Sequence, residues 1–172
     1  MLPDQLKRPS ISILPLLLTI SPWIYTEDFP AYYQVNYSCL FPTFAPMKDY
    51  KKHFIIPAPP EDLYKALTNP VTIQLWTGEP AEMSTEPGTE FSLWGDSIVG
   101  MNLEFEEDKK IVQEWYFGEQ EDASIVTIIL HPNKKGTDVE LRHTNIPDEA
   151  YEDIVGGWNE TYFGALIDFY TE

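Results

Sequence analysis

The feature that most constrains the fold is a long amphipathic segment at the end of the chain. Its apolar residues recur at spacings of three and four between residues 148 and 170, which predicts one helix with an apolar stripe wide enough to lie across a sheet. Pro147 and Asp148 mark the start of this helix. The stripe consists of Tyr151, Ile154, Val155, Trp158, Tyr162, Ala165, Leu166 and Phe169. A chain with such a helix needs a sheet whose apolar face the helix covers.

The residues before this helix predict a series of strands separated by turns. The predicted strands are residues 50–56, 89–94, 98–106, 111–117, 124–130 and 137–144. Two short helices, at about 61–68 and 70–76, follow the first strand, because prolines stop that strand and open each helix. The order β-α-α-β-β-β-β-β-α predicts an α+β fold, in which a curved antiparallel β-sheet wraps around the long C-terminal α-helix.

Side chains predicted to point inward form a candidate ligand pocket between the sheet and the long helix. Alternation within residues 98–106 places Met101 on the apolar face of its strand, and the same parity places Gln113 and His143 inward. The candidate ligand-binding residues are Trp76, Met101, Gln113, Trp115, His143, Trp158 and Tyr162. A packed core is the competing interpretation, since buried aromatic side chains usually just pack. In both cases Gln113 and His143 need hydrogen-bond partners, which are each other, water or a ligand.

Two glycines, Gly156 and Gly157, interrupt the predicted long helix. Each costs about 1 kcal/mol of helix stability relative to alanine. We expect this cost to be offset by a close approach of the helix to the sheet, or by a local bend.

Residues 1–46 differ in character from residues 47–172. They hold seven of the 15 prolines and the one cysteine, Cys39, and they sustain neither a helical nor a strand period. Three interpretations stand: a poorly structured extension, a weak export signal around residues 11–20, or upstream sequence translated from a start that was placed too early. Met47 is the natural start under the third interpretation. We expect residues 1–46 to contribute little to the fold and residues 47–172 to form the domain.

The charge of the chain excludes two classes of partner. Eleven Lys and Arg against 28 Asp and Glu give a formal net charge of −17. Such an acidic surface repels nucleic acid and anionic membranes, so we expect neither as a partner. No apolar run reaches the roughly 18 residues that a membrane span needs, and a single cysteine excludes an internal disulfide framework. We expect an acidic cytoplasmic protein.

Residues with catalytic or metal-binding chemistry are sparse. The histidines are His53, His131 and His143, and their spacing matches no zinc-binding motif. The sequence contains no dinucleotide-binding, phosphate-binding or nucleophile-elbow motif. The sequence therefore predicts no catalytic residue, no metal ligand and no cofactor.

Short stretches spread across residues 47–172 carry a family resemblance. They are Ala66–Pro70 with Trp76, Gly88–Trp94, Ile98–Glu104, Lys110–Trp115, Gly136-Thr137, and Gly157-Trp158 with Tyr162. In this order they resemble the C-terminal domain of the activator of Hsp90 ATPase homologue, within the START-like (SRPBCC, Bet v 1-like) superfamily. The resemblance implies a helix-grip fold, in which the sheet holds the long C-terminal helix. It also implies a chaperone or a small apolar ligand as a partner.

The chain departs from the eukaryotic co-chaperone of that family at Tyr116. The co-chaperone commonly has Arg after the tryptophan of the fourth strand. It also has a separate N-terminal domain, which residues 1–46 are too short and too proline-rich to replace. We therefore expect no activation of ATP turnover by this domain alone.

Three functions fit these observations. The first is a non-catalytic START-like domain that binds a small apolar ligand in the cavity between the sheet and the C-terminal helix. The second is a co-chaperone-like protein-interaction module of the Hsp90 ATPase activator type. The third is an enzyme similar to the polyketide cyclases and aromatases of the superfamily, in which Gln113, His143 and Tyr162 orient a reactive ligand. A deep cavity favours the first and third, whereas a filled core with an exposed apolar patch favours the second.

Overall fold

Residues 46–117 and 122–171, which the computed structural model describes, fold into six strands and a set of helices. The strands are β1 (Met47–Ile56), β2 (Glu90–Leu93), β3 (Ile98–Glu106), β4 (Lys110–Trp115), β5 (Ser124–Asn133) and β6 (Gly136–Pro147). The short helices are α1 (Pro60–Thr68) and α2 (Pro70–Thr77). The final helical run, which we name the C-terminal helix, consists of a 3-10 turn (Asp148–Ala150), α3 (Tyr151–Gly156), a π-helical turn (Gly157–Tyr162) and α4 (Phe163–Phe169). No helix within these described ranges is long and apolar enough to cross a membrane.

All six strands join one antiparallel sheet in the order β1-β6-β5-β4-β3-β2. The first strand, β1, therefore pairs with the last, β6. Pro46 extends this contact, because its carbonyl accepts a hydrogen bond from the Asp148 N–H at 3.0 Å. The sheet and the helix packed on it confirm the predicted α+β helix-grip fold. Residues 1–45, which make up nearly all of the predicted extension, lie outside the described residues.

The edge of the sheet at β2 is covered by the loop that precedes this strand. Glu82 of the loop pairs with Ser92 of β2 through two backbone hydrogen bonds of 2.9 Å each. Because β2 is only four residues long, this bridge leaves little of its backbone unpaired.

Two residue types set the ends of the short helices. Pro60 begins α1, where its missing N–H costs no hydrogen bond. Asn69 ends α1 by donating its backbone N–H to the Lys65 carbonyl. The Asn69 side chain then caps α2 by accepting from the N–H groups of Val71 and Thr72, at 2.9 and 3.3 Å. One asparagine thus closes the first helix and opens the second.

The C-terminal helix meets the sheet through buried aromatic and aliphatic side chains. These are Trp158, Tyr162, Phe163 and Leu166. Phe163 stacks on Phe54 of β1 with ring centroids 4.4 Å apart. Sequence periodicity missed Phe163 and placed Phe169 inward, yet Phe169 is 37% exposed. The Phe163 N–H bonds to the Trp158 carbonyl, five residues back, so the π-helical turn holds an extra residue and shifts the apolar stripe.

Gly156 and Gly157 do not bring the helix close to the sheet. A Cβ atom at either position would meet no atom within 4 Å, so the predicted close approach is wrong. The helix instead changes from α to π geometry at Gly157, and a π-helical turn is a known source of local irregularity in helices.

A β-bulge in β3 inverts the predicted alternation of that strand. The register against β4 shifts between Asn102 and Glu104, so one extra residue enters β3. Before the bulge Gly100 and Asn102 are buried, and after it Phe105 packs on the core. Met101 is only partly buried and lies outside the core. The prediction that Met101 faces inward is wrong, because a regular period of two cannot continue through an inserted residue.

Gly100→Ala tests the close packing at the start of β3. The added Cβ would lie 2.0 Å from the Glu114 carbonyl oxygen and 2.7 Å from the Phe91 ring, so neighbouring backbone must shift. We expect the free energy of unfolding to fall by about 3 kcal/mol in a denaturant titration. Gly156→Ala is the matched control, because its Cβ meets no atom within 4 Å and helical alanine is favoured over glycine by about 1 kcal/mol. Equal effects of the two substitutions would contradict this packing.

Candidate functional site

One row of side chains crosses the inner face of the sheet, each directly opposite the next. Asn102 of β3 pairs with Gln113 of β4. Val126 of β5 lies between Gln113 and His143 of β6. The three polar members of this row are buried, with exposed fractions of 0% for Asn102 and His143 and 3% for Gln113. Each of them needs a hydrogen-bond partner in the interior.

His143 finds its partners within the protein. The indole N–H of Trp158 donates to Nδ1 of His143 at 3.1 Å, so Nδ1 carries no proton. Nε2 then carries the proton and donates to Oγ of Ser124 at 2.9 Å. The Ser124 hydroxyl in turn donates to the Thr144 carbonyl at 3.2 Å. Burial lowers the pKa of His143 from 6.5 to about 3, so the imidazole is neutral near pH 7.

The pair of Ser124 and His143 cannot act as a nucleophile and its general base. A base must present an unprotonated nitrogen to the hydroxyl, whereas the Nε2 that faces Ser124 holds the proton. Both side chains are 0% exposed, so a substrate has no access to them. The lowered pKa also makes His143 a weak base. The pair therefore contributes to the stability of the interior.

Gln113 is paired in the same interior, separately from His143. Its Nε2 donates to Oδ1 of Asn102 at 2.9 Å, and its Oε1 accepts from the indole N–H of Trp115 at 3.4 Å. Nδ2 of Asn102 in turn donates to Oγ1 of Thr89 at 3.3 Å. The enzyme hypothesis requires Gln113 and His143 to orient a reactive ligand. Their hydrogen-bonding groups are instead occupied by partners within the protein.

Asn102 is an inward polar residue that was not predicted from the sequence. Strict alternation placed it outward with Glu104, and the β-bulge between them reverses that assignment. The turn does not reveal this pairing, because a regular hairpin that turns at residues 107–109 would set Asn102 opposite Glu114, and the bulge shifts it opposite Gln113. Two amides that face each other in this way can satisfy their own hydrogen bonds.

A surface cleft of about 360 Å³ lies between the C-terminal helix and the turn from β2 to β3. Its lining consists of Trp94, Ser97, Ile98, Trp115, Asp153, Ile154, Gly157, Trp158, Thr161 and Tyr162. Trp94 has a φ of 50°, in the left-handed region, where the chain turns from β2 towards β3. Gly157 has no side chain, and a Cβ there would meet no atom within 4 Å, so the helix leaves the cleft open at this point.

Three predicted ligand-binding residues, Trp115, Trp158 and Tyr162, line this cleft. Trp76 lies behind it: its ring meets Tyr162 edge-on at 5.3 Å, and its indole N–H donates to the Ala66 carbonyl at 2.9 Å. The structure therefore brings four of the predicted aromatic side chains into one cluster, of which three reach the cleft.

The remaining predicted residues do not reach the cleft. Gln113 and His143 belong to the buried polar row, and Met101 lies on the outer side of β3. Seven other cleft residues were not predicted as ligand-binding, and Trp94, Ser97, Asp153 and Thr161 are the four of them with a polar or aromatic side chain. Two of these lie in a turn, where no strand period predicts side-chain direction, and the other two lie on the polar margin of the helix stripe.

Aromatic rings form the buried side of the cleft. Trp115 and Trp158 stack with centroids 4.7 Å apart, and Trp158 contacts Tyr162 at the same distance. Burial raises the pKa of Tyr162 well above its usual value, so the phenol is neutral. Among the described residues that line the cleft, Asp153 alone is charged. The cleft therefore combines an apolar aromatic wall with one exposed carboxylate.

Comparison with known sequences gives a family match over most of the chain. The family model for activator of Hsp90 ATPase homolog 1-like protein matches residues 57–168. An activator of 90 kDa heat shock protein ATPase homolog from Dictyostelium discoideum is 33% identical over 110 residues, which are 62% of this chain and 29% of the relative. The human activator of 90 kDa heat shock protein ATPase homolog 1 is 28% identical over 109 residues, which are 62% of this chain and 32% of the relative. The chain thus spans about a third of the length of these two relatives.

Solved structures agree with this match. The crystal structure of an HSP90 activator from Plasmodium falciparum is 28% identical, with a TM-score of 0.59, over 69% of this chain and 92% of that one. A protein from Mesorhizobium loti has the same fold, with a TM-score of 0.61 and 24% identity, over 70% of this chain and 95% of that one.

The buried neutral His143 makes the stability of the fold depend on pH. Its folded pKa of about 3 lies below the ordinary value of 6.5, so the unfolded chain binds a proton first as the pH falls. We expect the free energy of unfolding to fall by up to about 1.4 kcal/mol per pH unit between pH 6.5 and 4.5. Below that range Glu140 adds to the loss, because hydrogen bonds from Lys51 and Arg142 lower its pKa to about 2.

The substitution His143→Gln removes this titrating group. Urea titrations at several pH values should then show a flatter dependence between pH 6.5 and 4.5. His53→Gln is the matched control, because His53 is exposed on β1 beside Asp138 and should leave the slope in place. A slope that is the same in His143→Gln as in the unsubstituted protein would show that His143 does not carry the effect.

Proposed function

The chain belongs to the family of activator of Hsp90 ATPase homolog 1-like proteins, and we propose that it is a protein-interaction module that contacts an Hsp90-class chaperone. The family match over residues 57–168 is the observation that carries this proposal. The Dictyostelium discoideum and human relatives are named as activators of the 90 kDa heat shock protein ATPase, and the Plasmodium falciparum structure is an HSP90 activator. The chain covers about a third of the length of the two sequence relatives. We therefore propose for this chain the chaperone partner of these relatives, and not their whole activity.

The filled interior supports a function at the surface. The polar side chains of the interior row, Asn102, Gln113 and His143, are satisfied by one another and by their neighbours. A deep ligand cavity would instead leave some of these groups for the ligand to satisfy. The domain therefore has a packed core and can present its surface to another protein.

Helix α2 supplies an apolar surface that suits such a contact. Val71 is 69% exposed and Leu75 is 67% exposed, which makes them the most exposed large apolar side chains in residues 46–117 and 122–171. They lie four residues apart and therefore on one side of the helix. Burying two such side chains at an interface contributes about 1.5–3 kcal/mol each. We assign this side of α2 to the chaperone contact.

The test is a binding titration of the full chain with the Hsp90 of the same organism, followed by calorimetry. We expect saturable binding, and we expect Val71→Ser with Leu75→Ser to weaken it by about tenfold or more, because apolar burial is lost. Ile55→Ser is the matched control, since Ile55 is also exposed, at 43%, but lies on β1. Absence of saturable binding would overturn the proposed partner. Equal weakening by the control would overturn the assignment to α2.

The aromatic cleft supports a second candidate function, the binding of a small apolar ligand. Its volume of about 360 Å³ falls within the usual range for small-molecule sites, about 300–1,000 Å³. Its buried side consists of stacked aromatic rings. The open space at Gly157 keeps the cleft accessible from the helix side.

A neutral aromatic probe tests this second function. We expect 1-naphthylmethanol to change the tryptophan fluorescence in a saturable way at micromolar concentration, because Trp115 and Trp158 would meet the bound ring. Gly157→Leu should abolish the change by filling the cleft. Gly156→Leu is the matched control, because a side chain there also enters open space but Gly156 is not part of the cleft. A cleft that takes no neutral probe, or a probe signal that survives Gly157→Leu, would contradict this function.

A further inference from the structure

Resting on the second candidate function, we propose that the cleft selects organic cations, that is, a protonated or quaternary amine attached to an apolar body. The amine lies beside the carboxylate of Asp153, and the apolar body lies against Trp94 and Trp158. The lining combines a carboxylate, indole rings and hydroxyl groups.

Asp153 provides an available counter-charge at the margin of the cleft. It lies in α3, one turn of helix before Gly157, and its side chain is exposed. The ion pairs of the described residues involve other carboxylates, such as the pair of Lys48 with Asp148 at the start of the same helix. No Lys, Arg or His side chain of the described residues lines the cleft to compete with a ligand amine for Asp153.

Two of the three chain segments that build the cleft carry no positive side chain. Residues 66–108, which contribute Trp94, Ser97 and Ile98, contain nine acidic residues and no Lys, Arg or His. Residues 144–172, which contribute the helical part of the lining, contain seven acidic residues and again no cation. The third segment, β4, contributes Trp115 and carries Lys110 at its far end, where Lys110 pairs with Glu104 at 2.6 Å. The local field therefore attracts a cation and repels an anion, over about 10 Å at moderate salt.

The other polar and aromatic groups of the lining suit an ammonium group. The face of an indole ring attracts a cation through its quadrupole, and Trp94 is only partly buried, so its ring is accessible. The hydroxyl groups of Ser97 and Thr161 make no side-chain hydrogen bond to any residue that the structure describes, so each can accept one from a ligand N–H. The cationic charge, the apolar body and the N–H donors of such a ligand thus each have a matching group in the lining of the cleft.

Three probes that share one ring separate charge from shape. They are 1-naphthylmethylammonium, 1-naphthylmethanol and 1-naphthoate, each titrated against the full chain with tryptophan fluorescence as the readout. We expect the ammonium to bind more tightly than the alcohol and the carboxylate to bind least. Raising NaCl from about 0.05 to about 0.5 M should weaken the binding of the ammonium and leave the binding of the alcohol unchanged, because salt screens exposed charges.

Asp153→Asn tests the assignment to one carboxylate. The substitution should weaken the binding of the ammonium by about threefold or more, a typical effect for an exposed ion pair, and leave the binding of the alcohol unchanged. Glu152→Gln is the matched control, because Glu152 precedes Asp153 on the same helix but does not line the cleft. An unchanged melting temperature shows that the variants remain folded.

Each outcome has a separate meaning. If the alcohol binds as tightly as the ammonium, the cation proposal is wrong while the ligand cleft stands. If Asp153→Asn leaves the preference for ammonium intact, the assignment of the amine to Asp153 is wrong. If Glu152→Gln weakens the binding of the ammonium as much as Asp153→Asn does, the preference for ammonium arises from the overall negative charge of the protein, and the assignment to Asp153 is wrong. If no probe binds, the ligand function and the cation proposal both fall.

Discussion

Trp158 joins the C-terminal helix to the sheet through two interactions made by one side chain. Its ring stacks on Trp115 of β4, and its indole N–H donates to His143 of β6. A stacked pair tolerates small rotations, but a buried nitrogen left without its partner costs about 1–3 kcal/mol. The rotation of the helix on the sheet is therefore fixed by a polar contact inside an apolar interface. The aromatic cleft depends on the same contact, because Trp158 forms one of its walls.

Much of this arrangement could be predicted from the sequence. The order of strands and helices follows from apolar periodicity and from prolines, and the inward parity of Gln113, Trp115 and His143 agrees with their burial. The stripe on the last helix placed Trp158 and Tyr162 correctly against the sheet. These predictions succeeded because burial of apolar surface dominates the choice of face in regular elements.

Two of the errors share one kind of physical cause, which is an extra residue inserted into a regular element. The β-bulge in β3 moves Asn102 inward and Met101 outward, and the π-helical turn moves Phe163 inward and Phe169 outward. Neither insertion is marked by a distinctive residue composition in its segment, so apolar periodicity does not detect it. The candidate site was affected more than the fold, because a pocket depends on which side chains turn inward at the irregular positions.

The two edges of the sheet determine how another molecule can approach it. At β2 the bridge between Glu82 and Ser92 already occupies the backbone groups that an incoming strand would need. At the opposite edge β1 carries Lys48, Lys51 and Lys52, and closely spaced lysines on an edge strand oppose pairing with another chain. Recognition by addition of a strand is thereby disfavoured at both ends. A partner of this domain therefore recognises the shape of its surface and the chemistry of its side chains. The same two edges protect the sheet from edge-to-edge aggregation.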